Sequence, residues 1–267
     1  MSPLRKFYAG AVRWDPTQYG RFADERNRAF VDLTARIEAV SPRHIIDVGC
    51  GPGNLTGLLA ERWPHAVVEG IDSSPEMIAA AAGVRDVSFT IADAADWRPT
   101  GDVDVVVSNA ALQWVPRHQD LMAKWAAALP RDGWLAVQVP GNFDSPSHAL
   151  MRRLADTQRW APVLRDVVHH TDAVGAPESY AAVLLDAGMV ADVWETTYLH
   201  VLHGDDPVLE WLRGTGLRPL LAAISAAEAE QFSAQLAAEL SQAYPPGRHG
   251  TIFPFRRVFA VGHKPAH

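Results

Sequence analysis

Short apolar runs alternate with segments of helical periodicity over the first half of the chain. A helical segment from Asn54 to Trp63, for example, follows the first apolar run. Alternation of strand and helix is typical of a mostly parallel sheet with helices on both faces. The fourth run is almost wholly apolar, as a parallel strand buried on both faces should be. The apolar runs predict strands at residues 45–48, 66–71, 87–92, 103–108 and 133–139.

The pattern changes in the second half, where helical segments separate two predicted strands. Long connections without secondary structure are uncommon in compact domains, so these helices indicate an inserted cap. Gly188 stops the helix that precedes the first of the two strands. The predicted elements are an insertion at 142–171, helices at 177–187, 207–212 and 225–243, and strands at 190–201 and 256–262.

A glycine-rich turn follows the first predicted strand, with the sequence Asp-Val-Gly-Cys-Gly-Pro-Gly at residues 47–53. Glycines allow a sharp turn from strand to helix and leave the backbone open to a ligand, while the helix N-terminus presents free N–H groups. The second strand ends in Asp72, at the position where a carboxylate reaches ribose hydroxyls. This spacing indicates a nucleotide-like cofactor.

The turn also distinguishes between cofactor classes. The dinucleotide fingerprint reads Gly-x-Gly-x-x-Gly, whereas this chain has Asn54 at the last position. Pro52 removes one N–H group that a phosphate could have used. The motif resembles instead the first motif of class I S-adenosylmethionine-dependent methyltransferases. This resemblance implies S-adenosylmethionine as cofactor and S-adenosylhomocysteine as its product.

Polar groups follow the other strands at their carboxyl ends, where open α/β sheets bind ligands. Ser74 is a suitable N-cap, Pro75 suits the first helical position, and Met77 is placed to line an adenosine pocket. In the family, the residue at Asp93 hydrogen-bonds the adenine amino group; a solvated loop carboxylate is the alternative there. The cofactor-binding residues implied by the resemblance are Arg26, Asp47, Gly49, Cys50, Gly51, Asp72, Ser73, Met77, Asp93, Ala94, Asn109 and Ala110.

Six further segments, several of them containing tryptophan, tyrosine or arginine, make the resemblance more specific. They lie at residues 14–19, 109–116, 136–142, 194–200, 211–219 and 253–259. In order and spacing they are similar to the trans-aconitate 2-methyltransferase family over residues 14–261. The resemblance implies methyl esterification of a small polycarboxylate, trans-aconitate, to its monomethyl ester. It also implies a Rossmann-like class I methyltransferase sheet, mostly parallel with an antiparallel last strand, plus helical cap insertions.

The same resemblance predicts how the chain is organised. Residues 14–141 should form the cofactor-binding core and include an N-terminal lid segment. Residues 142–267 should complete the sheet and carry the substrate cap within a single structural domain. Residues 1–13 match nothing in the pattern and are interpreted as an N-terminal extension.

Arginines of the cap are candidates for binding carboxylates, because the planar guanidinium donates two parallel hydrogen bonds. A solvated surface charge is the ordinary alternative for each arginine taken alone. A carboxylate with a pKa of about 4 is already ionised at neutral pH, so no general base is expected. Arginines should therefore hold the non-reacting carboxylates. The substrate-positioning candidates are Tyr19, Trp114, Tyr198, Arg213, Arg218 and Arg256, with His200 and Arg257 beside them.

Composition argues against several other ligands. The net charge is -7, whereas a nucleic-acid partner calls for a basic face. The single cysteine, Cys50, cannot form an internal disulfide and is interpreted as a small packing residue. The histidines, including the pair His169 and His170, lack the spacing of a metal site.

Residues 1–13 lack a signal peptide's apolar region and no apolar run spans a bilayer, so a cytoplasmic protein without membrane contact is expected.

Two other functions remain open from the sequence. A carboxyl or other O-methyltransferase acting on a different small molecule or a carrier-protein-bound acid would share the cofactor half; the carrier-protein form needs an exposed basic groove. A non-catalytic S-adenosylmethionine-binding protein would keep Asp72 and Asp93 but lack a substrate pocket.

Overall fold

The computed structural model describes residues 23–167 and 173–266, except for the side chains of residues 23–26. The helices are α1 (Ala23–Thr34), α2 (Asn54–Arg62), α3 (Pro75–Ala81), α4 (His118–Ala128), α5 (Pro146–Ala155), α6 (Ala161–Leu164), α7 (Pro177–Asp186), α8 (Pro207–Arg213), α9 (Arg218–Ala222) and α10 (Ala226–Ala243). The strands are β1 (His44–Val48), β2 (Val67–Asp72), β3 (Ser88–Ile91), β4 (Val105–Asn109), β5 (Trp134–Pro140), β6 (Val190–Leu202) and β7 (Thr251–His263). A short 3-10 helix, Leu112–Trp114, follows β4.

The seven strands form one sheet in the order β3-β2-β1-β4-β5-β7-β6. β1 pairs in parallel with both β2 and β4, and β5 pairs in parallel with β4. β7 runs antiparallel to β5. This confirms the expected class I methyltransferase sheet. The strand order reverses between β1 and β4, and ligands of such sheets bind at the carboxyl ends of the strands beside this reversal.

The last strand is longer than the sequence predicts, because it begins at Thr251 instead of residue 256. Pro254 lies inside it and carries no backbone N–H, which made a strand there improbable. The side chains nevertheless alternate: Phe253 and Phe255 are buried, while Ile252 and Pro254 are exposed. This alternation with a period of two indicates a strand, although Pro254 argues against one.

The described chain forms two compact units. The sheet unit comprises residues 23–140, 174–196 and 257–266; the cap unit comprises residues 141–167, 173 and 197–256. Each has its own apolar core. In the sheet unit, aliphatic residues of β1, β4 and β5 surround the buried Trp125. In the cap unit, Trp160 and aromatic residues from α8, α10 and β7 pack in the core with leucines, and Trp211 lies edge-on against Phe253. In the part of the chain that the structure describes, no helix is both long and apolar enough to cross a membrane.

Candidate active site

The three glycines of the turn after β1 all adopt positive φ, at +78° for Gly49, +57° for Gly51 and +76° for Gly53. A Cβ on Gly49 would lie 2.2 Å from the side chain of Ala111, and one on Gly53 would lie 2.5 Å from the ring of Phe89. A Cβ on Gly51 would meet no described atom within 4 Å. Packing therefore requires two of the glycines, while the third leaves open space where a ligand can approach the backbone.

Asp72, at the carboxyl end of β2, is fixed to this turn by its carboxylate. Oδ2 accepts a hydrogen bond from the backbone N–H of Gly51 at 3.0 Å, and Oδ1 accepts one from that of Ser74 at 2.8 Å. Burial raises the pKa of Asp72, and these N–H donors oppose the shift. Each carboxylate oxygen can accept a further hydrogen bond, so Asp72 could accept from two neighbouring hydroxyl groups of a ligand.

A second carboxylate, Asp47, lies beneath the same turn and is only 2% exposed. Its Oδ2 accepts a hydrogen bond from the Thr56 hydroxyl at 2.7 Å. Burial raises the pKa of Asp47 to about 7, and the nearby Asp72 adds to the shift while Thr56 lowers it. A cation close to these two carboxylates would favour their ionised forms. The ammonium and sulfonium groups of S-adenosylmethionine match this environment.

The start of α3 follows the sequence-based prediction. The Ser74 side chain caps the helix by accepting a hydrogen bond from the N–H of Met77 at 3.3 Å, and Pro75 occupies the first helical position. Met77 is buried and Ser73 is exposed. The cap fixes where β2 ends and α3 begins, and thereby the placement of Asp72.

Asp93 and Ala94 follow β3 and are both half-buried. Oδ1 of Asp93 accepts a hydrogen bond from the N–H of Ala95 at 2.9 Å. Oδ2 accepts no hydrogen bond from any described residue. The side chain is therefore held by a local turn and has one oxygen available. This arrangement suits the adenine amino group, which needs a single acceptor.

Two amide oxygens at the carboxyl end of β4 are buried and accept no hydrogen bond within residues 23–167 and 173–266. They are Oδ1 of Asn109 and Oε1 of Gln113. Ala110 between them adopts φ +55°, a strained conformation for a residue with a side chain, and its N–H donates to the carbonyl of Gln138. Buried acceptors normally have donors, so these oxygens fit a ligand that carries N–H groups. The sequence did not single out Gln113, whose burial depends on the 3-10 helix.

Four further candidates come from the part of the sequence before residue 141: Trp114, Arg26, Tyr19 and Cys50. Trp114 is half-buried in the 3-10 helix. Arg26 lies in α1, but its side chain is outside the described part, and Tyr19 is outside the described residues altogether. Burial raises the pKa of the Cys50 thiol, with Asp47 and Asp72 adding to the shift, so that Cys50 stays protonated. That supports its interpretation as a packing residue.

Tyr198 and His200 of the cap unit are buried on β6. Their rings stack with centroids 6.1 Å apart, and His200 stacks in turn on Trp211 at 4.9 Å. These side chains are therefore held in fixed orientations by the aromatic core.

The candidate arginines have different surroundings. Arg213 donates to Oε1 of Glu210 at 2.7 Å, one turn earlier on α8. Nη1 of Arg256 donates to the carbonyl of Gly141 at 3.2 Å. Arg218 is half-buried at the start of α9. An arginine already paired with a carboxylate binds a second one less readily, so the ion pair with Glu210 weakens the case for Arg213.

Arg257 belongs to the sheet unit and is only 2% exposed. Its Nη1 donates to Oε1 of Gln138 on the neighbouring strand β5 at 3.1 Å. As for metals, within the described ranges no group of three His, Cys, Asp or Glu residues could hold an ion, and His169 and His170 lie outside those ranges.

Comparison with known proteins agrees with this geometry. A family model of a methyltransferase domain matches residues 19–183. The trans-aconitate 2-methyltransferase of Streptomyces avermitilis is 53% identical over 97% of this chain and 99% of that protein. The one of Rhodococcus jostii is 53% identical over 93% of this chain and 98% of that protein. Among solved structures, the YcgJ protein of Bacillus subtilis has a TM-score of 0.56 at 14% identity, over 89% of this chain and 98% of that chain.

The match to YcgJ shows a shared fold. The two curated relatives show the family as well, because they match along nearly the whole length of this chain. The chain belongs to the trans-aconitate 2-methyltransferase family, whose fold is that of the class I methyltransferases.

Proposed function

We propose that the protein transfers a methyl group from S-adenosylmethionine to one carboxylate of trans-aconitate and releases the monomethyl ester. The observation that carries this function is the 53% identity to trans-aconitate 2-methyltransferases over almost the full chain. When bound, S-adenosylmethionine supplies an electrophilic methyl group, so that a carbon–oxygen bond forms as the carbon–sulfur bond breaks.

The sheet unit supplies the residues proposed for the cofactor. Asp72, which is anchored to Gly51, would hold the ribose hydroxyls. Asp93 would accept from the adenine amino group, and the unsatisfied oxygen of Asn109 would accept from the ammonium group. Arg26 remains a proposed contact on the family resemblance alone. The remaining proposed contacts are Asp47, Gly49, Cys50, Ser73, Met77, Ala94 and Ala110.

The arginines proposed to hold the substrate belong to the cap unit. Arg256 and Arg218 would donate paired hydrogen bonds to non-reacting carboxylates. Arg213 already forms an ion pair with Glu210, which would weaken its binding of a second carboxylate. Strong pairing to arginine lowers the nucleophilicity of a carboxylate, so the reacting group should be oriented by neutral donors. The proposed neutral donors and packing groups are Tyr19, Trp114 and Tyr198.

The proposed reaction requires no general base. The attacking carboxylate is ionised at neutral pH, since its ordinary pKa is about 4. The residues of the protein would then accelerate transfer by aligning the carboxylate oxygen with the methyl carbon and by excluding water. No residue needs to take up a proton in the transfer step.

A panel assay tests the function directly. The purified protein is incubated with S-adenosylmethionine and a series of di- and tricarboxylates, and both methyl esters and S-adenosylhomocysteine are quantified. We expect the highest kcat/KM for trans-aconitate, with no loss when a metal chelator is added. Preference for an unrelated acid, or methylation of an acidic carrier protein only, would contradict the proposed substrate. Cofactor binding without methylation of any acid would contradict the enzymatic function.

A further inference from the structure

Arg152 is a basic side chain that the proposed site does not use. It lies near the end of α5 in the cap unit and is half-buried. Its Nη1 atom is buried and, within the described residues, donates to no acceptor. A buried N–H of a charged group without a partner is costly, and native proteins rarely leave one so. The unmet donor therefore calls for an acceptor that the described residues do not provide.

The charges around Arg152 do not meet this need. Asp144 acts on the guanidinium electrostatically and raises its pKa, but burial has the larger effect and lowers it. Asp144 is exposed and forms no ion pair with Arg152. Burial therefore outweighs the nearby negative charge at this guanidinium, whereas buried charges in proteins are normally paired.

The neighbouring arginine on the same helix provides a contrast. Arg153 is 68% exposed, and its Nη2 donates to Oε2 of Glu239 at 3.0 Å. Its charge is thus solvated and also paired, as is usual for a surface arginine. The two adjacent arginines on α5 therefore differ in exposure and in pairing. Of the two, only Arg152 has a buried donor atom that donates to no described acceptor.

A second side chain on the Arg152 flank of α5 lies against another segment of the cap unit. His148 lies four residues earlier, on the same flank of the helix. The Nε2 atom of His148 lies 3.4 Å from the point where a Cβ on Gly216 would stand. Gly216 is in the segment 214–218, which ends at Arg218. This flank of α5 therefore carries His148 and Arg152 and borders the segment that contains Arg218.

We propose that Arg152 binds a non-reacting carboxylate of the substrate. The inference rests on the proposed function and extends it, because a tricarboxylate with one reacting group has two others to be recognised. Arg256 or Arg218 would hold one of them, and Arg152 would hold the other. The buried Nη1 donor would then gain a charged acceptor, which is the strongest type of hydrogen bond available to it.

The test compares Arg152→Gln, Arg152→Lys and the matched control Arg153→Gln in steady-state assays with trans-aconitate and a dicarboxylate. We expect Arg152→Gln to raise KM for trans-aconitate about ten- to a hundredfold with kcat changed far less, as for a lost charged hydrogen bond. Arg152→Lys should recover part of the loss. KM should stay within about twofold for Arg153→Gln, and the affinity for S-adenosylhomocysteine should be unchanged in all three.

Three kinetic outcomes would overturn the proposal. One is an unchanged KM for trans-aconitate in a folded Arg152→Gln protein. Another is an equal rise in KM for every acid together with a lower melting temperature, which would indicate a purely structural role. The third is an Arg153→Gln variant that loses as much as Arg152→Gln.

A second measurement uses the unaltered protein, so it does not depend on any variant folding. Phenylglyoxal labelling is mapped by peptide mass spectrometry with and without trans-aconitate, in the presence of S-adenosylhomocysteine. We expect the acid to slow labelling of Arg152 and to leave Arg153 unaffected; equal labelling would overturn the proposal. If the protein methylates trans-aconitate without protecting Arg152, this inference alone fails. If it methylates no acid but Arg152 is protected, the proposed function fails and the anion site stands.

Discussion

Asn142 holds the backbone of Arg256 through both atoms of its side-chain amide. Oδ1 accepts a hydrogen bond from the backbone N–H of Arg256 at 2.8 Å, and Nδ2 donates one to its carbonyl at 3.1 Å. The N–H of Gly141 donates to the same carbonyl at 2.9 Å, while the guanidinium donates to the carbonyl of Gly141. Residues 141–142 therefore fix both the main chain and the side chain of Arg256.

Replacing Asn142 should shift the position of Arg256 while leaving the arginine itself unchanged. Asn142→Ala removes both amide hydrogen bonds and should lower the free energy of unfolding by about 2 kcal/mol. Because Arg256 loses two of the three hydrogen bonds that hold its backbone to residues 141–142, KM for trans-aconitate should rise severalfold while the affinity for S-adenosylhomocysteine stays constant. Urea unfolding and steady-state kinetics measure the two effects. A variant that loses stability but keeps its KM would show that Arg256 needs no such support.

Asp72 should control affinity for the cofactor. Asp72→Ala removes a charged hydrogen-bond acceptor, so affinity for S-adenosylhomocysteine should fall about ten- to a hundredfold, or about 1.5–3 kcal/mol. Isothermal titration calorimetry without added metal measures the change. Asp186→Ala, which removes an exposed carboxylate from the same unit, is the control and should leave the affinity intact. Unchanged affinity in Asp72→Ala would rule out the ribose contact.

The two glycines Gly51 and Gly53 should respond differently to the same substitution. Gly53→Ala places a methyl group 2.5 Å from Phe89 at positive φ, so it should destabilise the fold severely. Gly51→Ala meets no described atom and adds only backbone strain of about 1 kcal/mol. It should therefore fold yet bind S-adenosylhomocysteine at least about tenfold more weakly, because its methyl group occupies the ligand's approach. Thermal unfolding and calorimetry on both variants check this; normal binding by Gly51→Ala would place the cofactor elsewhere.

The contrast between these glycines shows which features of the site can be predicted from the sequence and which cannot. The spacing from the first strand to Asp72 was enough to predict the turn and its cofactor class. It could not distinguish Gly51 from Gly53, since the difference arises from Phe89 and Ala81 on other segments. In the same way, apolar runs predicted the buried strands, because burial on both faces leaves a direct mark on composition.

The arginines of the cap unit show a different limit of prediction from sequence. The pairing of Arg213 with Glu210 is an i, i+3 contact on a helix and could have been anticipated from spacing alone. The buried donor of Arg152 could not, because Arg152 and Arg153 are indistinguishable as sequence letters. Only the folded helix determines which of the two faces inward.

Asp47 should make stability depend on pH. Its pKa is raised from 3.8 to about 7 in the folded protein, so the folded state binds the proton more tightly than the unfolded state does. The stabilisation is complete below about pH 4 and is lost as the pH rises through about 7. Asp47→Asn cannot ionise, and its Oδ1 can still accept from Thr56. The difference in unfolding free energy, variant minus wild type, should therefore increase from pH 5 to pH 8 by a few kcal/mol. Parallel curves for the two proteins would exclude a titrating Asp47.

The selectivity between acids should depend on Arg256. Arg256→Ala should raise KM for trans-aconitate about ten- to a hundredfold, or about 1.5–3 kcal/mol for one lost charged hydrogen bond. The affinity for the cofactor should stay nearly the same, since the residues proposed to bind it belong to the sheet unit. The matched control is Arg153→Ala, an exposed arginine of the cap unit that pairs with Glu239, and its KM should change by less than about threefold.

A dicarboxylate separates recognition by Arg256 from a general effect on the fold. If the dicarboxylate lacks the carboxylate that Arg256 binds, the wild-type enzyme should already use it poorly, and Arg256→Ala should cost little more. The two changes would then be non-additive, because each removes the same interaction. Partial unfolding would instead raise KM for both acids by the same factor. Equal losses on tri- and dicarboxylates would therefore show that Arg256 does not contact the substrate, even if the enzyme methylates trans-aconitate.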